Sequence, residues 1–320
     1  MNVLVSGATG FIGSALVPEL QGLGHRVIRL SRSEPSAEDT IRWDPGSGAL
    51  DASRLEGLDA VVHLAAESVG DGHWTLAKKR RIMDSRREGT GLLAETIAGL
   101  SEPPGVMVAV SGINYYGSRG NELLREESGP GESFLARVCQ EWERAADPAR
   151  KAGIRVVHPR FGIVFPQGFS RHLLGCEVGI EHPRFEVTFA SRGSTFARLP
   201  AYKLTGGGWI GSGRQYWSWI VAEDVVGVIL HALTNDSLEG AVNAVSGSVS
   251  AREYTATLNR VLKRPTVFPL PAPVARLALG EFAEEMLLAS IRVDPTRLAE
   301  SGYEFRYPEL EGALRHLVRS

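Results

Sequence analysis

The fold is decided by residues 2–13, which read NVLVSGATGFIG. A short apolar run is followed by glycines at positions 7, 10 and 13, and from Phe11 onward apolar residues recur with helical spacing. This order predicts a strand, a tight glycine turn and a helix. Such glycines let the backbone approach a pyrophosphate, and the helix N-terminus offers free N–H groups to phosphates. We therefore predict dinucleotide binding rather than a purely structural turn, with contacts from Gly7, Thr9, Gly10, Phe11, Ile12 and Gly13.

Further apolar runs predict the rest of a parallel sheet. They lie at residues 26–30, 60–64, 106–111 and 154–158, and helix-like stretches separate them. Alternating strands and helices imply parallel βαβ units, so we predict an α/β fold with a Rossmann-type doubly wound parallel sheet. The alternation weakens after residue 164. We assign residues 1–164 to the dinucleotide-binding domain and 165–320 mainly to a smaller C-terminal substrate domain, with parts near 216–246 returning to the sheet.

One long stretch fits no pattern. Residues 166–204 have no convincing period and are long for a connection within a compact domain. Within them, residues 166–190 are either a lid insertion or a local error in the sequence.

Composition and charge narrow the class of partner. The chain has 320 residues, a formal charge of −2 and 43% hydrophobic residues. Such a balance creates no strong electrostatic attraction for nucleic acid or anionic lipid, so we expect a small-molecule substrate. The oligomeric state stays open, with a homodimer as the alternative to a monomer. Two cysteines, no signal-like start and no apolar run long enough for a membrane span predict a cytoplasmic protein. We predict no metal site.

The end of the second predicted strand indicates which dinucleotide binds. NAD-specific sites usually place an acidic residue there to hold the ribose 2′-hydroxyl, whereas this chain has Ser31 and Arg32. A guanidinium makes forked, charge-assisted hydrogen bonds to phosphate oxygens. We therefore predict NADP(H); the alternative for Arg32 is a solvated arginine at a strand end.

Several motifs in order resemble a known family. VSGATGFIG, DAVVHLAAES, SGINYYG, HPRFGIV and GSGRQYWSWI are similar to the extended short-chain dehydrogenase/reductases of the NAD-dependent epimerase/dehydratase superfamily. HWTLAKKRRIMDSR, FLARVCQEWERAA and the C-terminal tail resemble its atypical epimerase-like branch, which has its own C-terminal domain. The resemblance implies further cofactor contacts from Leu64, Ala65, Arg81, Arg86 and Val164. Leu64 and Val164 would be buried in any such sheet, and the charged run at 78–81 would ordinarily be a solvated helix face.

The usual catalytic pair of this superfamily is missing. The resemblance places its tyrosine at Leu135 and its lysine at Cys139, and neither side chain can relay a proton as that pair does. We interpret Cys139 as a buried helix residue. Ser111 and Tyr115 are the candidate catalytic residues, although Tyr115 also suits a packing role.

The same motifs supply candidates for the substrate side of the cleft, namely Glu67, Gln215 and Trp219. For Glu67 the alternative is a carboxylate that satisfies N–H groups at a helix start. The sequence thus predicts an NADP(H)-binding, epimerase-like oxidoreductase acting on a small carbonyl or sugar-nucleotide compound. Because the pair is missing, whether the protein is an enzyme stays open, and the alternative is a non-catalytic NADP(H)-binding sensor or regulatory protein.

Overall fold

The structure is a computed structural model that describes residues 1–34, 37–71, 73–165, 207–266 and 269–319. The segment 166–190 lies outside the described residues. The strands are β1 (Asn2–Ser6), β2 (Arg26–Ser31), β3 (Thr40–Asp44), β4 (Ala49–Leu50), β5 (Ala60–His63), β6 (Val106–Ala109), β7 (Ser111–Gly112), β8 (Leu123–Leu124), β9 (Arg155–Phe161), β10 (Ile163–Phe165), β11 (Tyr216–Val221), β12 (Gly240–Ala244), β13 (Gly247–Ser250) and β14 (Arg292–Val293).

The helices flank these strands. They are α1 (Phe11–Gly22), α2 (Leu76–Ala98), α3 (Phe134–Arg144), α4 (Asp147–Lys151), α5 (Ala222–Thr234), α6 (Ala251–Leu262), α7 (Ala272–Leu279), α8 (Thr296–Glu300) and α9 (Leu310–Arg319). Short 3-10 helices cover Ala52–Leu55 and Ile113–Tyr116, and a π-helix covers Ala283–Leu288.

The main sheet is parallel and doubly wound, as the sequence predicts. Among the described residues its order is β12-β9-β6-β5-β1-β2-β3-β4, with β7 beside β9, and only the β3–β4 pair is antiparallel. Leu16 of α1 and Ile229 of α5 pack on one face, and Leu93 of α2 and Ala149 of α4 pack on the other. The chain reverses its winding direction beside β1, so the crevice for a ligand opens between the carboxyl ends of β1 and β5.

The C-terminal part is built around two small sheets. One has the order β10-β11-β13 and the other pairs β14 with β8. Helices α6 and α9 cover the first sheet through Leu258 and Leu314. Of the residues near 216–246, β12 joins the main sheet beside β9, whereas β11 lies in the small sheet.

Strand bounds differ from the predicted ones where local geometry intervenes. The run 106–111 is split at Val110 into β6 and β7, and the predicted strand 154–158 extends to Phe161 because β7 and β12 pair with its far end. The β3 strand has no counterpart in the predicted set. Its five residues bury only Ile41 and Trp43, which is a short signal of alternation. No helix of the described ranges is long and apolar enough to cross a membrane.

Candidate functional site

The phosphate loop lies where β1 ends and α1 begins. Gly7 has a φ of +69°, in the left-handed region that favours glycine, and its carbonyl accepts a hydrogen bond of 2.9 Å from the Gly10 N–H. A Cβ added to Gly13 would lie 2.2 Å from the Gly7 oxygen, and one added to Gly7 would lie 2.9 Å from the Ala65 nitrogen. Gly10 is the N-cap of α1 and brings no side chain to its N–H groups. Thr9 and Gly10 are exposed at this turn, as a site for phosphates requires.

The loop after β5 is fastened to the phosphate loop by Ser6. Its hydroxyl oxygen accepts hydrogen bonds from the Leu64 and Ala65 N–H groups, at 3.1 and 3.2 Å, and lies 2.7 Å from His63 Nδ1. With both lone pairs engaged, the hydroxyl donates to Nδ1, so His63 carries its proton on Nε2. Burial lowers the pKa of His63 to about 4. The histidine is therefore neutral and structural at physiological pH.

The adenosine end of the cleft follows β2. Ser31 is the last residue of that strand and its hydroxyl accepts from the Ser33 N–H at 3.1 Å, while Arg32 is exposed. Arg32 makes no ion pair with the residues that the structure describes. A guanidinium at this place is available to an anionic ligand.

Three predicted cofactor residues pack against the same apolar core cluster. Ile12, Leu64 and Val164 are half-buried and border the same apolar cluster, although they come from α1, the loop after β5 and β10. Val164 is positioned by its pairing with Ile220 of β11. Residues from distant parts of the sequence thus border one apolar cluster of the core.

Glu67 is held in place by the start of α2. Its N–H donates to the Ser85 hydroxyl at 3.0 Å and its carbonyl accepts from the Arg86 guanidinium at 2.9 Å. Its carboxylate accepts a hydrogen bond of 2.8 Å from Lys78 Nζ. Lys78 is buried, with 5% of its side chain exposed, so this end of the charged run at 78–81 is not a solvated helix face.

The electrostatics of this cluster favour an ionised Glu67. Partial burial raises the pKa of Glu67, but the hydrogen bonds and charges of Lys78 and Arg81 outweigh it, and the pKa lies below its usual range. Arg81 is exposed and reaches Glu67 from 3.4 Å. Arg86 is buried over the Trp142 ring and anchors the Glu67 peptide, so in this structure it supports the loop rather than lining an open surface.

The positions of the missing catalytic pair are filled by buried side chains of α3. Leu135 and Cys139 are 4% and 5% exposed. Burial raises the pKa of the Cys139 thiol to about 11, which makes it a structural residue rather than a nucleophile. Leu135 packs beside Val69, from the same loop as Glu67.

One helical turn beyond Cys139, Glu143 organises a buried polar network. Its carboxylate accepts two hydrogen bonds of 2.7 Å from Arg160 and one of 2.8 Å from the Ser111 hydroxyl. Arg160 also donates to the Tyr116 hydroxyl at 2.9 Å, and Tyr116 donates to Asn243 Oδ1 at 2.7 Å. Sequence reasoning missed Glu143 and Arg160. Because Glu143 follows Cys139 by four residues, it lies on the same face of α3 as Cys139. No sequence pattern indicates its partner on β9.

This network engages both candidate catalytic residues. Ser111 is 5% exposed and gives its proton to a carboxylate, so its oxygen can only accept hydrogen bonds from a ligand. Tyr115 is half-buried, and the Arg160 guanidinium stacks over its ring at 3.5 Å. That contact fits the packing interpretation of Tyr115.

Gln215 and Trp219 lie deeper than the substrate side of a cleft requires. The Gln215 amide donates to the carbonyls of Ile210 and Leu287, at 2.8 and 3.2 Å, and Trp219 is 1% exposed and stacked on Phe165. Both side chains are buried against protein neighbours and do not form an open surface. Gln215 ties the start of β11 to the segment at Leu287, and Trp219 packs β11 against β10.

A small cavity opens between β11 and the C-terminal segment. Its volume is about 50 Å³, and its walls include Asn114, Tyr216, Trp217, Glu285 and Met286. Such a volume has room for a few waters. The Glu285 carboxylate also accepts from the Ser133 hydroxyl and the Phe134 N–H, at 2.7 and 2.8 Å, and so caps α3 from across the cleft.

Two family models match this chain. The model described as the NAD dependent epimerase/dehydratase family matches residues 3–157, and a domain of unknown function (DUF1731) matches residues 270–317. An epimerase family protein of Mycobacterium leprae is 34% identical over 316 residues, covering 98% of this chain and 94% of the relative.

Solved structures are similar over the whole chain. Human epimerase family protein SDR39U1 with NADPH has a TM-score of 0.80 at 31% identity, covering 100% of this chain and 99% of that one. A nucleoside-diphosphate sugar epimerase from Corynebacterium glutamicum has a TM-score of 0.73 at 31% identity and covers 99% of this chain and 58% of that one.

Proposed function

From the premise that the chain belongs to the NAD dependent epimerase/dehydratase family, with a DUF1731 domain at its C-terminal end, we propose that it is an NADP(H)-dependent oxidoreductase of the epimerase type. Its partner is a small carbonyl or sugar-nucleotide compound. The membership confirms the resemblance and the Rossmann-type fold predicted from the sequence.

The phosphate loop is the observation that carries the cofactor assignment. Gly7 and Gly13 leave no room for a Cβ, and the N–H groups at the start of α1 face an exposed turn. Arg32 is exposed and directly follows β2. These features suit a pyrophosphate and a 2′-phosphate. The human relative was crystallised with NADPH, which supports the same choice of dinucleotide here.

We assign substrate binding to Glu67. It lies at the reaction end of the cleft, by which we mean the end that contains Glu67, Ser111 and the positions of the missing catalytic pair. Bound NADP(H) would supply the hydride chemistry, and the protein has to hold the substrate and handle its proton. Lys78 keeps the Glu67 carboxylate ionised, so Glu67 can accept a hydrogen bond, and then the proton, from a substrate hydroxyl. The Ser111 hydroxyl already donates its own proton to Glu143, so the Ser111 oxygen can accept a second hydrogen bond from the substrate.

The alternative is a non-catalytic NADP(H)-binding sensor. It is favoured by one observation: the positions of the usual proton-relay pair are buried and closed by Leu135 and Cys139. A sensor needs the cofactor end of the cleft but no relay.

Hydride transfer separates the two functions. Protein loaded with NADPH deuterated at the transferred position is incubated with a panel of carbonyl compounds, and protein loaded with NADP+ is incubated with a panel of sugar nucleotides. Mass spectrometry detects deuterium in a reduced carbonyl compound. Chromatography detects a sugar epimer of unchanged mass, because an epimerase transfers a hydride from its substrate to NADP+ and then returns it. A deuterated product or a new epimer supports the enzyme, whereas neither product over both panels favours the sensor.

Glu67→Gln tests the assigned residue. We expect a loss of about 100-fold in the transfer rate, because the neutral amide cannot accept a proton. The dissociation constant of NADPH should change by less than about twofold. Glu88→Gln, an exposed carboxylate on α2, is the matched control and should change neither quantity. An unaltered transfer rate in Glu67→Gln would remove Glu67 from the proposed chemistry.

A further inference from the structure

Two arginines and a glutamate lie near the carboxyl end of β2. In the register of these parallel strands Ser31 pairs directly with Arg42. Arg32 follows Ser31 in sequence, and the Arg42 guanidinium forms an ion pair with the Glu34 carboxylate. The sequence indicates Ser31 and Arg32 as the phosphate-recognising residues, but Arg42 lies eleven positions beyond Ser31, and only the pairing of β3 brings it there.

Arg42 lies on the same face of the sheet as the phosphate loop. Leu30, Ile41 and Trp43 are buried in the core on the opposite face. Because side chains alternate along a strand, Ser31 and Arg42 project on the other side. Val27, which shares that side with Ser31, packs in the cluster that includes Leu16 of α1. A dinucleotide that runs from the α1 N-terminus to the end of β2 therefore passes along this face.

The Arg42–Glu34 pair can open at little cost. The two side chains are 57% and 77% exposed, and ion pairs so exposed contribute little free energy. A phosphate monoester carries more charge than a carboxylate and offers three acceptor oxygens. A 2′-phosphate beside Ser31 therefore competes effectively with Glu34 for the Arg42 guanidinium.

We propose that Arg42 is a second cation for the 2′-phosphate, that it leaves Glu34 when NADPH binds, and that Glu34 is a built-in competitor for it. This inference rests on the proposed NADP(H) cofactor. NADH has no 2′-phosphate to draw Arg42 away, so the pair stays closed with that dinucleotide. Arg42 thus adds to the preference for NADPH, and Glu34 limits it.

Binding titrations test the inference without any turnover. Wild type, Arg42→Gln and Glu34→Gln are titrated with NADPH, NADH and the probe adenosine 2′,5′-bisphosphate. Loss of one charged contact should weaken NADPH and the probe about tenfold in Arg42→Gln and leave NADH within about twofold. Glu34→Gln should tighten NADPH about threefold and should not do so when Arg42→Gln is also present. Arg87→Ala, which removes a similarly exposed arginine on α2, is the control and should change nothing.

The outcomes distinguish this inference from the cofactor assignment. If wild type prefers NADPH but Arg42→Gln keeps that preference, or weakens NADH equally, the role of Arg42 is overturned and the cofactor stands. If Glu34→Gln fails to tighten NADPH, the competitor role is overturned. If wild type binds NADPH and NADH equally, both the cofactor assignment and the inference fail.

Discussion

The two ends of the cleft are built by different means. At the phosphate end the backbone itself forms the site, because glycines allow contacts that any side chain would prevent, and Ser6 ties the two loops together. At the reaction end, side chains satisfy one another: Ser111 and Arg160 bind Glu143, and Leu135 and Cys139 fill the places of a proton relay. The N–H groups of the phosphate end are open to a ligand, whereas many polar groups of the reaction end are already hydrogen-bonded to protein neighbours.

This difference separates holding a cofactor from using it. The features of the phosphate end suit any member of the fold that binds a dinucleotide. Chemistry must come from side chains that a substrate can reach, and the Glu67 side chain remains 31% exposed although its carboxylate is paired with Lys78. Fold and cofactor alone do not identify a reaction.

Breaking the Glu143–Arg160 pair should have the largest effect on stability. Arg160→Ala leaves a buried carboxylate without its cation, which costs about 3–5 kcal/mol of unfolding free energy. Urea denaturation followed by fluorescence measures it. Arg144→Ala, which removes an exposed pair with Glu141 on the same helix, should cost less than about 1 kcal/mol. Equal losses of unfolding free energy in the two variants would mean that this network does not stabilise the reaction end.

A methyl group in the phosphate loop should have the next largest effect, now on cofactor affinity. In Gly13→Ala the Cβ would lie 2.2 Å from the Gly7 oxygen, so the turn must distort. We expect NADPH to bind about 100-fold more weakly, or about 2.7 kcal/mol. Calorimetric titration provides the measurement.

The control for this variant is Gly91→Ala on α2, where an added Cβ meets nothing within 4 Å. It should keep its NADPH affinity and gain up to about 1 kcal/mol of stability from the higher helix propensity of alanine. Normal NADPH affinity in Gly13→Ala would refute the idea that backbone contact builds this end.

Much of the phosphate end follows from sequence, because its determinants are local. The glycine spacing, the preceding apolar strand and the apolar periodicity of α1 lie within residues 2–23. The order of later strands then fixes the crevice beside β1. The absence of the relay pair was equally readable, since Leu135 and Cys139 occupy definite positions in a motif.

The reaction end could not be predicted in the same way, because its partners are distant in sequence. Glu143 and Arg160 lie on a helix and a strand that only the fold brings together. The sequence predicts that Lys78 belongs to a solvated charged run, but it is buried beside Glu67. It predicts that Trp219 lines the cleft, but Trp219 projects from β11 into the core beside the small sheet.

The pH dependence of stability offers a smaller test of the phosphate end. The pKa of His63 falls from 6.5 to about 4 in the folded protein, so the unfolded chain binds more protons between these values. This contribution to stability is complete above that window and is lost as the pH falls through it. Between pH ~6.5 and ~5 the loss due to His63 should be about 1.5 kcal/mol.

His63→Asn removes that titration and should flatten the stability profile over this range relative to wild type. Urea denaturation at a series of pH values measures the two profiles. Parallel profiles for wild type and His63→Asn would show that His63 is not held neutral under the two loops.

The central claim is that the phosphate end is a built NADP(H) site, and wild-type protein titrated calorimetrically with NADPH and NADH in the same buffer tests it most directly. Because only NADPH offers a 2′-phosphate to Arg32, we predict that it binds at least about tenfold more tightly, with an advantage that shrinks as salt is added. Equal affinities, or tighter binding of NADH, would contradict the account.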